Sequence, residues 1–123
     1  MIDYSKFKHF KKEEFTCKCG CGLNNMEFQV IEMLDEARYL AEVPFKINCG
    51  CRCEKHNKEV GGVEKSSHCD GLAVDISAFN DRDRYMIVSC LIAVGFKRIL
   101  IYDSFIHVDI DLSKVNPILK IMK

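Results

Sequence analysis

The 123-residue sequence lacks any linker, internal repeat or low-complexity stretch, which favours a single domain over residues 1–123. It also lacks an apolar run near the roughly 20 residues that a membrane-spanning helix needs, so we expect no membrane insertion. Net charge is absent too, because 18 basic and 18 acidic residues cancel. That balance gives no general attraction to nucleic acids or anionic membranes. The N-terminal segment has no apolar core of the signal-peptide type, so synthesis in the cytoplasm is expected.

The chain does have a composition that can bury a core. It is 48% hydrophobic and 29% charged, which excludes disordered, collagen-like and coiled-coil classes. Six of its eight cysteines form two alternating triplets: Cys17, Cys19 and Cys21, then Cys49, Cys51 and Cys53. Neither triplet has the C-x-x-C spacing of zinc ribbons or thioredoxin-like sites. Without a signal peptide, reduced thiols are the default expectation.

Hydrophobic periodicity predicts two helices and four strands. Apolar residues recur every three or four positions in the segments Met26–Ala41 and Arg82–Val94. Asn24 or Asn25 is the expected N-cap of the first helix, and Asp81 that of the second. Short segments rich in β-branched and aromatic residues predict the strands Phe45–Asn48, Leu72–Ile76, Lys97–Tyr102 and Phe105–Ile110. This order favours an α+β domain in which helices pack on one face of a small, mostly antiparallel sheet.

Two of the predicted strands place polar side chains opposite an apolar face. The period of two puts Asp75 of one strand, and His107 and Asp109 of another, opposite the residues that face the core. His68 lies seven residues before Asp75, and Gly71 lets the backbone turn between them into the strand. His68, Asp75 and His107 form a candidate two-histidine, one-carboxylate site, which suits a catalytic zinc ion. The alternative is that these side chains simply meet solvent.

A second interpretation of these residues is a non-haem iron oxygenase, in which His68 and the pair His107 and Asp109 form a facial triad. Such enzymes usually place the H-x-D pair before the distal histidine, and here the order is reversed. Their barrels also need about eight strands, whereas the sequence predicts four or five.

The segment from Ser66 to Asp75 carries the spaced motif S-x-H-x-x-G-x-A-x-D. At every fixed position this motif resembles the signature of the M15-type zinc peptidases. These are D-alanyl-D-alanine carboxypeptidases and L-alanyl-D-glutamate endopeptidases, which cut bacterial cell-wall peptides and share a fold core with the Hedgehog signalling domain. Further segments are also similar to the family: Phe15–Gly22 (FTCKCGCG, as in the compact subfamily), Asn48–Arg52 (NCGCR, where N-S-G-Y-R is common) and Tyr102–Asp109. The resemblance extends from Phe10 to Asp109.

The resemblance implies a zinc-dependent peptidase with a Hedgehog/DD-peptidase-like fold. His68, Asp75 and His107 match the zinc ligands of the family. Arg52 and Ser66 match positions that hold the carboxylate of the substrate or its neighbouring carbonyl, and a guanidinium offers a charged, bidentate grip on a carboxylate. The expected reaction is hydrolysis of an amide bond in a peptidoglycan stem peptide by zinc-bound water, assisted by an aspartate.

The general base is open between two aspartates. Better-known relatives carry an acid a few residues before the last histidine ligand; here Ser104 lies three residues before His107, and Asp103 four. Asp109 matches the H-x-D of the compact subfamily and shares a face with His107, so we place it slightly ahead of Asp103. Asp109 lies two residues after His107 on the same strand, and such a residue can instead orient the histidine without touching the metal. A chain with no functional base would be a non-catalytic zinc-binding module that recognises wall peptides or another protein.

The cysteines depart from the family in part. Cys49 and Cys51 replace the common serine and tyrosine, so the hydroxyls at those positions are lost. By the resemblance, Cys53 and one cysteine of the first triplet could pair. A disulfide, a second structural zinc site and free thiols are the alternatives, and synthesis in the cytoplasm favours thiols or metal. A small monomer of this kind resembles phage or prophage lysis enzymes, which reach the wall through holes made by another protein.

Overall fold

The computed structural model describes residues 2–123 and arranges them in three α-helices, five β-strands and two short 3-10 helices. The helices are α1 (Phe28–Ala41), α2 (Glu54–Glu59) and α3 (Asp81–Ala93). The strands are β1 (Ile47–Cys49), β2 (Ala73–Ser77), β3 (Arg98–Ile101), β4 (Phe105–Asp109) and β5 (Ile118–Ile121). The 3-10 helices, Tyr4–Lys6 and Lys12–Glu14, precede α1. None of the helices within this described range combines the length and apolar character that crossing a membrane requires.

The five strands form one sheet in the order β1-β2-β4-β3-β5. Every neighbouring pair is antiparallel except β3 and β5, which run parallel. The predicted α+β class with a small, mostly antiparallel sheet is therefore confirmed. Sequence periodicity does not reveal β5, a four-residue and mostly exposed strand whose place depends on its pairing with β3.

The core lies between the sheet and the helices α1 and α3, which pack against each other. The buried residues of these helices follow the predicted spacing: Val30, Ile31, Leu34, Ala37, Ala41, Ile87 and Leu91. They share one hydrophobic cluster with alternate residues of the central strands: Val74, Ile76, Ile106 and Val108. Because successive side chains of a strand point to opposite faces, Asp75 and His107 lie on the face away from this cluster.

The boundaries of the predicted elements differ from the observed ones by one or two residues. Asn80, rather than Asp81, caps α3, because its side chain accepts a backbone N–H of the first turn at 2.8 Å. Neither Asn24 nor Asn25 caps α1, since their amide groups bond to the segment before the helix and to the loop before β2. The six-residue α2 is not predicted, because it is shorter than two helical turns and shows no period.

Candidate metal centre

β2 and β4 place Asp75 and His107 side by side. The two strands are antiparallel neighbours, and their register pairs Asp75 directly with His107. Directly paired side chains on one face have Cβ atoms about 5 Å apart, close enough for both to donate to one cation. The strand period predicts that both residues lie opposite the core, but their direct pairing is a property of the register.

His68 reaches the same centre from the loop that precedes β2. Backbone hydrogen bonds hold this loop, from Leu72 N–H to Ser67 O (3.0 Å) and from Gly71 N–H to His68 O (3.3 Å). Gly71 has a φ of +71°, a left-handed conformation that glycine adopts without steric cost. Ser67 anchors the loop further, because its Oγ donates to Asp111 Oδ2 at 2.7 Å in a buried contact. Gly71 therefore turns the chain from His68 into β2, as its position in the sequence predicts.

The three side chains meet at one oxygen atom, Oδ1 of Asp75. His68 Nε2 lies 3.2 Å from this oxygen, and His107 Nδ1 lies 3.0 Å from it. Donors that surround a tetrahedral zinc ion at bond lengths of about 2.0–2.1 Å stand about 3.3 Å apart, so both contacts have nearly the spacing of a coordination shell. The side chains of His68, Asp75 and His107 are 4%, 15% and 14% exposed. The centre is therefore mostly buried but open at the surface.

The opposite nitrogen of each imidazole is held by a further hydrogen bond. His68 Nδ1 donates to the carbonyl oxygen of Gly50 at 2.7 Å, and since a carbonyl can only accept, the proton lies on Nδ1. His107 Nε2 donates to Asp109 Oδ2 at 2.7 Å. Contacts of this kind fix the ring orientation and the tautomer of metal-binding histidines. Nε2 of His68 and Nδ1 of His107 are therefore the nitrogens that would face a bound cation.

Ionisation of the centre depends on Asp75, the negative group between the two imidazoles. Burial raises the pKa of Asp75, but hydrogen bonds to His107 and His68 outweigh it and lower the pKa to about 2. Burial lowers the pKa of His68, but its hydrogen bond to Asp75 outweighs this effect and helps raise the pKa to about 10. Burial likewise lowers the pKa of His107, and hydrogen bonds to Asp109 and Asp75 raise it overall. A divalent cation must displace protons here, so its binding strengthens as pH rises.

Cys49, the last residue of β1, is a further neighbour of the centre. Its Sγ, a ring nitrogen of His68 and a carboxylate oxygen of Asp75 all lie within 4.8 Å of one another, and His107 is not part of this group. His107 contacts the centre through Asp75 Oδ1. The sulfur is 3.6 Å from His68 Nδ1, the nitrogen whose proton is donated to Gly50. Cys49 therefore approaches the ring nitrogen that does not face the cation. The three ligands that the sequence predicts, one carboxylate and two imidazoles, would leave one position of a tetrahedral ion open, as catalytic zinc sites require.

Arg52 and Ser66 lie beside His68. Arg52 Nη2 donates to Ser66 Oγ at 3.2 Å, and the same oxygen accepts the backbone N–H of His68 at 3.3 Å. The backbone N–H of Arg52 donates to His68 O at 3.1 Å. Arg52 Nε is buried and has no hydrogen-bond partner among residues 2–123. The structure therefore places both candidate substrate-binding residues beside the backbone of His68, with one guanidinium donor unpaired.

Asp109 and Asp103, the two candidate bases, have different surroundings. The Asp109 side chain is fully buried, and its carboxylate accepts hydrogen bonds from His107 Nε2 (2.7 Å), Arg98 Nε (3.0 Å) and a backbone N–H (3.0 Å). Asp103 is exposed in the loop between β3 and β4, where its backbone carbonyl accepts from Arg84. Asp109 thus joins the centre through His107, whereas no described hydrogen bond within residues 2–123 connects Asp103 to it.

Two supporting groups, Gly50 and Arg98, are not evident from the sequence. Gly50 appears there only as part of the family-like segment NCGCR. A Cβ added to Gly50 would lie 2.6 Å from backbone atoms of Phe15, so the close approach of these two backbone segments requires glycine. Arg98 is paired with Asp109 in the register of β3 and β4. Its position in a predicted strand is visible in the sequence, but its partner depends on that register.

Comparison with known proteins identifies the family to which this fold and centre belong. The family model described as peptidase M15 matches residues 8–109. The chain belongs to the M15 peptidase family, whose members are typically zinc-dependent metallopeptidases. A search of curated proteins found no match to the chain. Family membership and a five-stranded sheet, in place of a barrel of about eight strands, argue against the iron-oxygenase interpretation.

Proposed function

We propose that this chain hydrolyses amide bonds in the stem peptides of bacterial peptidoglycan. The observation that carries the proposal is the shared contact of His68 Nε2 and His107 Nδ1 with one oxygen of Asp75, at 3.2 and 3.0 Å. Because the opposite ring nitrogens are already engaged, the two nitrogens beside Asp75 are the ones available to a cation. Zinc held there supplies a Lewis acid that activates water and polarises the scissile carbonyl.

Arg52 favours a substrate that carries a carboxylate. Its buried Nε lacks an acceptor within the described chain, and an unpaired buried donor costs free energy. Arg52 as a whole is only half-buried, and a guanidinium can bind a carboxylate in a two-point arrangement. Ser66 Oγ, 3.2 Å from the guanidinium, can donate its hydroxyl proton to the same carboxylate or to the adjacent carbonyl. Peptides that end in D-alanine or contain D-glutamate present such carboxylates.

We assign proton transfer to Asp103 and the orientation of His107 to Asp109. Both oxygens of the buried Asp109 carboxylate already accept hydrogen bonds, which leaves it poorly suited to take a proton from water. Asp103 is exposed in the loop next to the strand that carries His107, and its carboxylate makes no hydrogen bond within residues 2–123. This assignment reverses the order of the two aspartates that the sequence favours.

Incubation of purified muropeptides with the protein tests the proposed function. Mass spectrometry should show products that have gained water across a peptide bond, together with new amino termini. A chelator should abolish these products, and added zinc should restore them. The position of the new terminus distinguishes cleavage at the chain end from internal cleavage. Binding of the fragments without cleavage, at any neutral or mildly alkaline pH, would contradict the proposal and favour the non-catalytic module.

Arg52→Lys should lower kcat/KM for wall peptides by roughly 10- to 100-fold, mainly through KM. Lysine keeps the positive charge but loses the planar donor pair, and a charged hydrogen bond contributes about 1.5–3 kcal/mol. Arg82→Lys is the matched control, because Arg82 is exposed on α3, and both kinetic parameters should remain unchanged. Equal kinetics for Arg52→Lys and the parent protein would remove Arg52 from the substrate site.

Asparagine substitutions at the two aspartates should have different signatures. Asp103→Asn should lower kcat by about 100-fold or more at unchanged zinc content, since general-base catalysis contributes about 10²–10⁴-fold. Asp109→Asn should weaken zinc binding by about 10- to 100-fold, because the group that orients His107 is altered, and excess zinc should restore most activity. Zinc titration and kcat, measured for each variant, separate the two roles. Unchanged kcat in Asp103→Asn would show that the base lies elsewhere.

A further inference from the structure

Four cysteine sulfurs converge outside the histidine centre. Three of them, from Cys17, Cys19 and Cys21, belong to the loop before α1, and the fourth belongs to Cys53, directly before α2. All four sulfurs lie within 4.8 Å of one another. The Cys19 sulfur is 3.5 Å from that of Cys17 and 3.7 Å from that of Cys53. We propose that these four residues, the four-cysteine cluster, bind a second and structural zinc ion.

The spacing of the sulfurs fits a tetrahedral zinc ion. Zinc–sulfur bonds of about 2.3 Å in tetrahedral geometry place neighbouring sulfurs about 3.8 Å apart, close to the two observed distances of 3.5 and 3.7 Å. Four sulfur donors with no nitrogen or oxygen ligand form a soft set, which selects zinc over magnesium, calcium or manganese. Four protein ligands also close the coordination sphere, so the ion has a structural role and no position for substrate.

Backbone groups around the four-cysteine cluster favour thiolates. The N–H of Cys53 donates to Sγ of Cys17 at 3.4 Å, and the N–H of His56 donates to Sγ of Cys53 at 3.3 Å. Such donors stabilise the negative charge that four thiolates bring to one ion. Gly20 and Gly22 have φ values of +89° and +83° with open space where a Cβ would be. Gly20 therefore allows the backbone to turn between Cys19 and Cys21, and Gly22 allows it to turn directly after Cys21.

A zinc ion in the four-cysteine cluster would join two segments that are distant in the chain. Cys53 directly follows Arg52 and ends the segment that also contains Gly50, the acceptor for the proton on His68 Nδ1. Four zinc–sulfur bonds form as the four thiols release their protons, so the step needs no oxidant or reductant. The ion would hold in place the backbone segment that contains Gly50 and Arg52, next to the histidine centre.

Zinc content of the purified, reduced protein is the first test. We expect two zinc ions per chain in the parent protein and one in Cys19→Ser/Cys21→Ser, whose substituted residues are both exposed. Cys90→Ser is the matched control, because Cys90 lies on α3 outside the four-cysteine cluster, and it should retain both ions. The cysteine double variant should also unfold at a lower temperature than the parent. Equal zinc content in the parent and in Cys19→Ser/Cys21→Ser would overturn the proposal.

X-ray absorption at the zinc edge is the second test and does not depend on the cysteine variant folding. In His68→Ala/His107→Ala, which lacks the histidine ligands, one ion should remain with sulfur neighbours only, at about 2.3 Å. Loss of all zinc from this variant, or nitrogen and oxygen neighbours around the remaining ion, would overturn the proposal.

Titration of the denatured, freshly purified parent should find all eight thiols; a deficit in thiols would show that disulfides form instead. Because neither readout is catalytic, this test is independent of the proposed hydrolysis.

Discussion

His107→Ala is expected to lose the zinc ion of the histidine centre. Its kcat/KM on wall peptides should fall by at least about 1,000-fold. The bound metal contributes several kcal/mol of transition-state stabilisation, and about 4 kcal/mol corresponds to about 1,000-fold in rate. His68→Ala should have the same effect, because the two imidazoles contact the same oxygen of Asp75. Zinc content and kcat/KM on muropeptides measure the two consequences separately.

His56→Ala is the matched control for the ligand variants. His56 lies in α2, its ring makes none of the hydrogen bonds of the histidine centre, and its replacement should preserve zinc content and activity. Circular dichroism of His107→Ala should show that the helices persist, because α1 and α3 draw their core from the opposite face of the sheet. Full activity in either ligand variant would refute the assigned ligands.

Gly71→Ala is expected to destabilise the fold by about 3 kcal/mol or more and to lower the melting temperature by about 10 °C. The φ of +71° is left-handed, and this conformation costs a residue with a Cβ about 1–2 kcal/mol. The added Cβ would also stand 2.0 Å from the carbonyl oxygen of Asn25, a backbone atom that cannot move without shifting the segment before α1. Zinc affinity should fall as well, because Gly71 lies between His68 and Asp75.

Gly61→Ala isolates the conformational part of this effect. Its φ of +73° is nearly the same, but nothing lies within 4 Å of the added Cβ. We therefore expect a loss of about 1 kcal/mol, near the lower limit for a left-handed residue. Thermal unfolding of both variants measures the difference. Equal destabilisation would show that the contact with Asn25 relaxes without cost, and the steric explanation for Gly71 would be wrong.

The candidate ligands are recognisable from the sequence because strand alternation is a local property. Val74 and Ile76 face the core, and Asp75 between them faces away, as the period of two predicts. The helical spacing of α1 and α3 is local in the same sense, and the α+β class follows from the order of these elements. The family-like motif from Ser66 to Asp75 adds the assignment of roles, which alternation alone does not contain.

The different surroundings of Asp103 and Asp109 could not be predicted in this way. Both are acids near the same histidine in the sequence, and the shared strand face favours Asp109. The structure shows Asp109 buried between His107 and Arg98, with its oxygens occupied. That environment depends on β3, which approaches β4 only when the sheet is assembled.

The sequence by itself determined which residue types are present and toward which face of a strand or helix each one points. Only the tertiary structure decided which distant groups meet: Asp75 with His107 through the strand register, His68 with the carbonyl of Gly50, and Cys53 with Cys17, 36 positions earlier. The physical reason is that side-chain direction repeats with the local backbone conformation. The distance between segments depends instead on how the sheet, the helices and the loops pack together as a whole.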